Sequence, residues 1–156
     1  MGKLLRGFFT PNGSYLMEQQ EEQAGTEPAA TMAALGRKIR DELKPDAVVV
    51  ASPHWLPMSG FFVDAEAAHE SFNDYPLRPQ DFGRRLFSYT LAGHPELARS
   101  IVEAGRAAGL EVNYKTYGVD HGAFCPLKVM GLKLPTVPVS TSRRSFEETL
   151  KWGAAI

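Results

Sequence analysis

The sequence predicts an α/β domain with a mostly parallel or mixed central sheet and helices on both faces. Three observations predict it. Residues 47–51, Ala-Val-Val-Val-Ala, are an unbroken apolar, β-branched run, as expected where a strand is covered on both faces. Strand-like and helix-like stretches alternate along the chain, which is the pattern of layered α/β folds. The chain has 156 residues, 44% of them hydrophobic and 22% charged, enough for one ordinary core, so residues 1–156 read as a single domain.

The elements follow in order. Residues 4–9 are a short apolar run and read as a first strand. Thr10-Pro11-Asn12-Gly13-Ser14 is a turn, signalled by Pro and by Asn-Gly. Residues 18–25 are polar and read as a loop. Residues 28–44 read as a helix, because Met32, Leu35, Ile39 and Leu43 recur at spacings of three and four and form one apolar stripe. Pro45-Asp46 stops it. The run at 47–51 is the next strand and 60–63 another. Residues 67–79 read as irregular, and 82–91 fit helix or strand equally. Residues 95–108 are a helix stopped by Gly109. Residues 110–117 form a strand, 126–132 a short helix and 136–140 a strand. Ser145-Phe146-Glu147-Glu148 is a capping box that opens a last helix. That helix runs to the end of the chain with no strand after it, which suggests less than a whole ancestral domain.

Composition narrows the function. The net charge of −1 argues against a strongly basic nucleic-acid surface. The single cysteine, Cys125, rules out an internal disulfide and a cysteine-based zinc cage. No signal peptide and no membrane-spanning run is visible, so a cytoplasmic setting is expected. No Gly-x-Ser-x-Gly elbow and no phosphate-binding glycine loop occurs.

Two histidines stand out. His54 follows the 47–51 strand directly, after Ser52 and Pro53 and before Trp55. His121 lies in Asp120-His121-Gly122, after the 110–117 strand. Open α/β sheets bind ligands at strand C-terminal ends, and imidazoles there serve metals or proton transfer. His54 reads either as a metal ligand, needing an acceptor behind its ring, or as a histidine that caps a loop carbonyl. His121 reads either as a group that takes and returns one proton, with Asp120 orienting it, or as a solvent-facing turn residue. Gly122 allows a sharp turn or a close approach. His69 reads as an exposed loop residue or as part of a substrate entrance. His94 reads as the flank of a helix start, Asp64 and Glu66 as a solvated strand end, and Cys125 as a buried small apolar side chain.

In series, these stretches resemble the class III extradiol ring-cleavage dioxygenases, the superfamily of the protocatechuate dioxygenase catalytic subunit and the DOPA dioxygenases. The match runs through Ala51-Ser52-Pro53-His54-Trp55, the loop from His69 to Tyr75 with its Asp-aromatic pair, and Gly93-His94-Pro95-Glu96-Leu97-Ala98. It continues through Gly118-Val119-Asp120-His121-Gly122-Ala123-Phe124 with Pro126-Leu127, the most specific piece. Val137-Pro138-Val139-Ser140 and Trp152-Gly153-Ala154-Ala155 complete it. It spans nearly this whole chain but only the N-terminal part of a typical member. The resemblance implies oxidative opening of a catecholic ring with dioxygen at a non-haem Fe(II) or Zn(II) site. It implies His54 as a metal ligand and His121 as the acid–base residue. Where the family's first histidine ligand falls, this chain has Thr10-Pro11-Asn12, and the family's last ligand comes from a C-terminal region. The metal is therefore expected to be held weakly unless another chain or segment completes its shell. A binding or interaction module, a subunit beside a longer relative, and a folded remnant of such a gene are the alternatives. An open sheet edge favours a homo-oligomer.

Overall fold

The structure, a computed structural model, describes residues 2–13, 16, 27–72 and 89–156. Its elements are α1 (Glu27–Lys38), continued by a π-helical turn (Ile39–Leu43), β1 (Val48–Ser52), β2 (Phe61–Val63), β3 (Ala68–Glu70), β4 (Thr90–Ala92), α2 (Pro95–Ala107), β5 (Val112–Tyr114), α3 (His121–Val129), β6 (Thr136–Ser140) and α4 (Phe146–Ala155). Among the described residues the main sheet has the order β1–β6–β2–β5. The β1–β6 and β2–β5 pairs are parallel, and β2 meets β6 antiparallel at Val63 and Val139. The sheet is therefore mixed and mostly parallel. β3 and β4 form a separate antiparallel pair.

The apolar run of β1 shows why the sheet is covered on both faces. Successive strand residues point to opposite sides. Val48 and Val50 pack on a core that includes Met32, Ile39, Phe124 and Leu127 from α1 and α3. Val49 packs on the other core, with Phe61, Val63, Ile101, Val102 and Trp152 from β2, α2 and α4. The α1 stripe expected from sequence is there: Met32 and Ile39 are buried in the first core, with Leu35 and Leu43 packed against it. Lys44 ends that helix in the left-handed region at φ 47°, its N–H bonded to the Ile39 carbonyl. Ser145 and Glu148 form the expected capping box at α4.

Four expectations change. Residues 4–9 are not a strand but a segment without regular structure on the surface, with Phe9 fully exposed. Residues 68–70, expected to be irregular, are a strand, because β4 pairs with them from His69 opposite Leu91 outward. The 110–117 strand ends at Tyr114, since the N–H groups of Tyr117 and Gly118 turn instead to the Asp64 carboxylate. The helix placed at 126–132 begins five residues earlier, at His121. Its true N-cap is Asp120, whose carboxylate accepts from the Ala123 N–H. Pro126 lies inside the helix, not at its start. The readings of residues 14–15, 18–25 and 73–88 lie outside the described residues.

The packing of α1 on the end of α3 tolerates no side chain at Gly36. A Cβ there would stand 1.9 Å from the Met130 carbonyl oxygen. Arg40 meets the same helix end, donating to the carbonyls of Met130 and Gly131 at 2.6 and 3.1 Å, a cation where the helix dipole is negative. Gly36→Ala is expected to push α1 off α3, because the obstacle is backbone and cannot rotate away. The cost should be about 3 kcal/mol, read as a lowered urea midpoint.

Candidate active site

β1 ends at Ser52, and the chain turns at once: the Trp55 N–H returns to the Ser52 carbonyl at 3.3 Å. The Ser52 hydroxyl works in both directions. It accepts from the His54 N–H at 3.2 Å and donates to Asp120 Oδ1 at 2.6 Å. Asp120 is completely buried. Its Oδ1 also accepts from the Ala123 N–H at 3.1 Å, and its Oδ2 from the Tyr117 hydroxyl at 2.9 Å. Three donors thus hold a carboxylate that would be costly to bury alone. The next residue, His121, opens α3. The rings of His54 and His121 meet with centroids 4.1 Å apart and planes at 60°. His54 is exposed and His121 is buried.

Gly122 is what lets the two parts come this close. A Cβ there would lie 2.5 Å from Ser52 Oγ and 2.7 Å from His54 Cδ2. Aromatic rings line the other side. Trp55 stacks on Tyr117 at 4.1 Å with planes 4° apart, and Phe72 meets Tyr117 edge-on at 5.2 Å. Trp55 is itself fixed by Thr141, which bonds the Trp55 carbonyl through both its N–H and its hydroxyl. Tyr117 also walls a cleft of about 530 Å³ shared with Glu66, Glu70, Phe72 and Thr116.

The structure brings His54 and His121 together and puts the other candidates elsewhere. His94 is an N-cap, its Nδ1 accepting from the Leu97 N–H. Cys125 is buried in the α1–α3 core. Asn12 lies half-buried in the N-terminal segment. Two residues read as exposed are buried. His69 is 1% exposed, and its Nε2 donates to the Thr136 carbonyl at 3.1 Å. Its Nδ1 stands 3.4 Å from Asp64 Oδ2, within ion-pair reach. Asp64 is also 1% exposed. Its Oδ2 accepts from the N–H groups of Tyr117 and Gly118, each at 2.8 Å, and its Oδ1 from that of Glu66 at 3.0 Å. Burial alone would raise the Asp64 carboxyl. His69 and the three backbone N–H groups outweigh it and hold it at about 2, against an ordinary 3.8. From sequence Asp120 reads as orienting His121, but its cap role and its bonds to Ser52 and Tyr117 are not foreseen, and Tyr117 is not singled out. The Asp directly before His-Gly was the available signal for the cap.

Among the described residues no group of three or more His, Cys, Asp or Glu side chains converges as a metal cage. The side chains that meet at the site are two imidazoles beside an Asp120 carboxylate that already accepts three hydrogen bonds. That is short of the three protein donors usual for catalytic zinc or a non-haem Fe(II) site. The described residues alone do not fit a tightly held ion.

Residues 8–156 match the family model described as the catalytic LigB subunit of aromatic ring-opening dioxygenase. The chain belongs to this family. It is 25% identical over 165 residues to the 2-aminophenol 1,6-dioxygenase beta subunit of a Pseudomonas species, covering 97% of this chain and 53% of that protein. It is 31% identical over 127 residues to a 4,5-DOPA dioxygenase extradiol of Beta vulgaris, covering 79% of this chain and 44% of that one. The chain thus spans about half the length of these LigB-family relatives. Among its described residues no helix is long and apolar enough to cross a membrane.

Two outcomes follow from this geometry. Ser52→Ala removes a short bond to a buried charge and is expected to cost about 2 kcal/mol, seen as a lower urea midpoint with an unchanged slope. For Asp64 the folded carboxyl lies below the unfolded one, so its stabilisation is full above the unfolded value and fades as pH falls toward about 2. Its size is about 2 kcal/mol. Urea melts of the protein and of Asp64→Asn should therefore differ clearly near neutral pH and converge in strong acid.

Proposed function

We propose that this chain carries part of an extradiol ring-opening site for a catecholic aromatic substrate, with dioxygen as the oxidant. The observation that supports it most directly is the meeting of the His54 and His121 rings at 4.1 Å, at the end of β1 and the start of α3, in a LigB-family chain. In this reading His54 is a metal ligand for Fe(II) or Zn(II). The remaining donors come from outside the described residues or from another chain. His121 is the acid–base residue: a ring nitrogen accepts the proton of a substrate hydroxyl and later returns it. Tyr117 and Phe72, which line the neighbouring cleft, offer apolar surface to an aromatic substrate, and the buried Trp55 backs the Tyr117 ring. The names of the relatives point to ring-bearing substrates with vicinal hydroxyl or amino groups.

The shortage of donors favours a second reading, in which the chain is a binding module or subunit that keeps the pocket without opening a ring. Metal uptake separates the two. Anaerobic titration with Fe(II), then addition of catechol and air, should give metal binding and ring-opened product. His54→Ala should lose the metal. His121→Ala should keep it and lose about 10²- to 10⁴-fold in turnover. If the unmodified protein takes up neither Fe(II) nor Zn(II), the ring-opening assignment fails for this chain and the binding-module reading stands.

A further inference from the structure

We infer that Asp64 and His69, which do not belong to the histidine pair, are positioning residues for it, acting through the turn at 117–119. The inference rests on the reading of His54 and His121 as the working site, but the geometry behind it does not depend on the reaction.

The path consists of short contacts. Asp64 Oδ2 takes the N–H groups of Tyr117 and Gly118. Gly118 has φ +85°, a conformation open to glycine, and a Cβ there would strike the Glu70 carbonyl oxygen at 2.7 Å. The turn is thus pressed between the Asp64 carboxylate on one side and the β3 backbone on the other. The β3 side is stitched by Val119 N–H to the Glu70 carbonyl at 3.1 Å and Phe72 N–H to the Val119 carbonyl at 3.0 Å. His69 fixes β3 in turn, with one ring nitrogen on the Thr136 carbonyl at the start of β6 and the other facing Asp64. Gly93 leaves the room for that ring, since a Cβ there would come within 2.9 Å of Nε2. From the turn the path has one more step. The Tyr117 hydroxyl donates to Asp120 Oδ2, and Asp120 sets both the start of α3 and, through Ser52, the His54 backbone.

A buried aspartate that accepts three backbone N–H groups could merely stabilise the fold. The positioning role predicts something narrower: loss of the Asp64 contact should disturb the Tyr117–Asp120–His121 side of the molecule and spare the second core. The test is aromatic and imidazole NMR at one fixed pH on the metal-free protein. In Asp64→Asn, the ring signals of Tyr117, Trp55 and His121 should move, while those of Phe61 and Trp152, in the second core, should hold. His69→Gln should move the same set less, because an amide can still donate to the Thr136 carbonyl. Tyr117→Phe should move His121 and Trp55 without touching Asp64, and it serves if Asp64→Asn does not fold. Unmoved His121 signals in a folded Asp64→Asn, or in Tyr117→Phe, would overturn the inference. None of these readings needs turnover, so a failure to open catechol leaves the test intact.

Discussion

A fully buried carboxylate, Asp120, accepts at once from a serine on β1, a tyrosine in the preceding turn and the N–H of a helix it caps. The rest of the site hangs on that arrangement. Burying a carboxylate without partners costs several kcal/mol, so its donors are held in place as firmly as it is. Because one donor is Ser52 and another is in α3, the charge ties the end of β1 to the start of the helix. His54 lies two residues beyond Ser52 and His121 directly after Asp120. Their proximity is a consequence of a polar bond beneath them, and Gly122 removes the one side-chain atom that would prevent it.

The sheet gives this bond its rigid frame. β1 and β6 run parallel over five residue pairs, from Val48 opposite Thr136 to Ser52 opposite Ser140. Both strands therefore end at the same level. Ser140 takes the Phe62 N–H through its hydroxyl and the Trp152 indole N–H through its carbonyl, while Thr141 holds Trp55. The strand ends are thus crowded with directed polar contacts, and the apolar cores lie behind them on either face. This is the usual division of labour in open α/β sheets, where packing builds the frame and strand C-terminal ends carry the chemistry.

Much of this was legible in the residues. The β-branched run of β1, the three-and-four spacing of α1 and the capping box of α4 are local signals with one physical meaning each, and they located those elements to within a residue or so. The two histidines drew notice because strand ends are where open α/β sheets place ligand sites, and the structure brings their rings together. Other features were not, because they depend on partners distant in sequence. His69 and Asp64 look like exposed polar residues until β4 and the 117–118 turn close over them. The start of α3 was misplaced because Pro126 is a good first-turn residue and outweighed Asp120, an equally good N-cap directly before His121. The apolar run at 4–9 has the composition of a strand, but no described strand pairs with it.

The two imidazoles are not equivalent, and the difference bears on the roles proposed for them. The His54 backbone is fixed by Ser52, and the residue is exposed at the end of β1, on the side from which a ligand would arrive. The His121 ring is buried at the first turn of a helix whose cap is itself immobilised. Proton transfer gains from a group held in one orientation away from bulk water, whereas a ligand to an ion shared with other donors must stand open to them. A buried imidazole beside an exposed one is compatible with the proposed division between acid–base work at His121 and ligation at His54. The same asymmetry would serve a binding module, with His121 as part of the pocket floor and His54 as the group that meets the ligand.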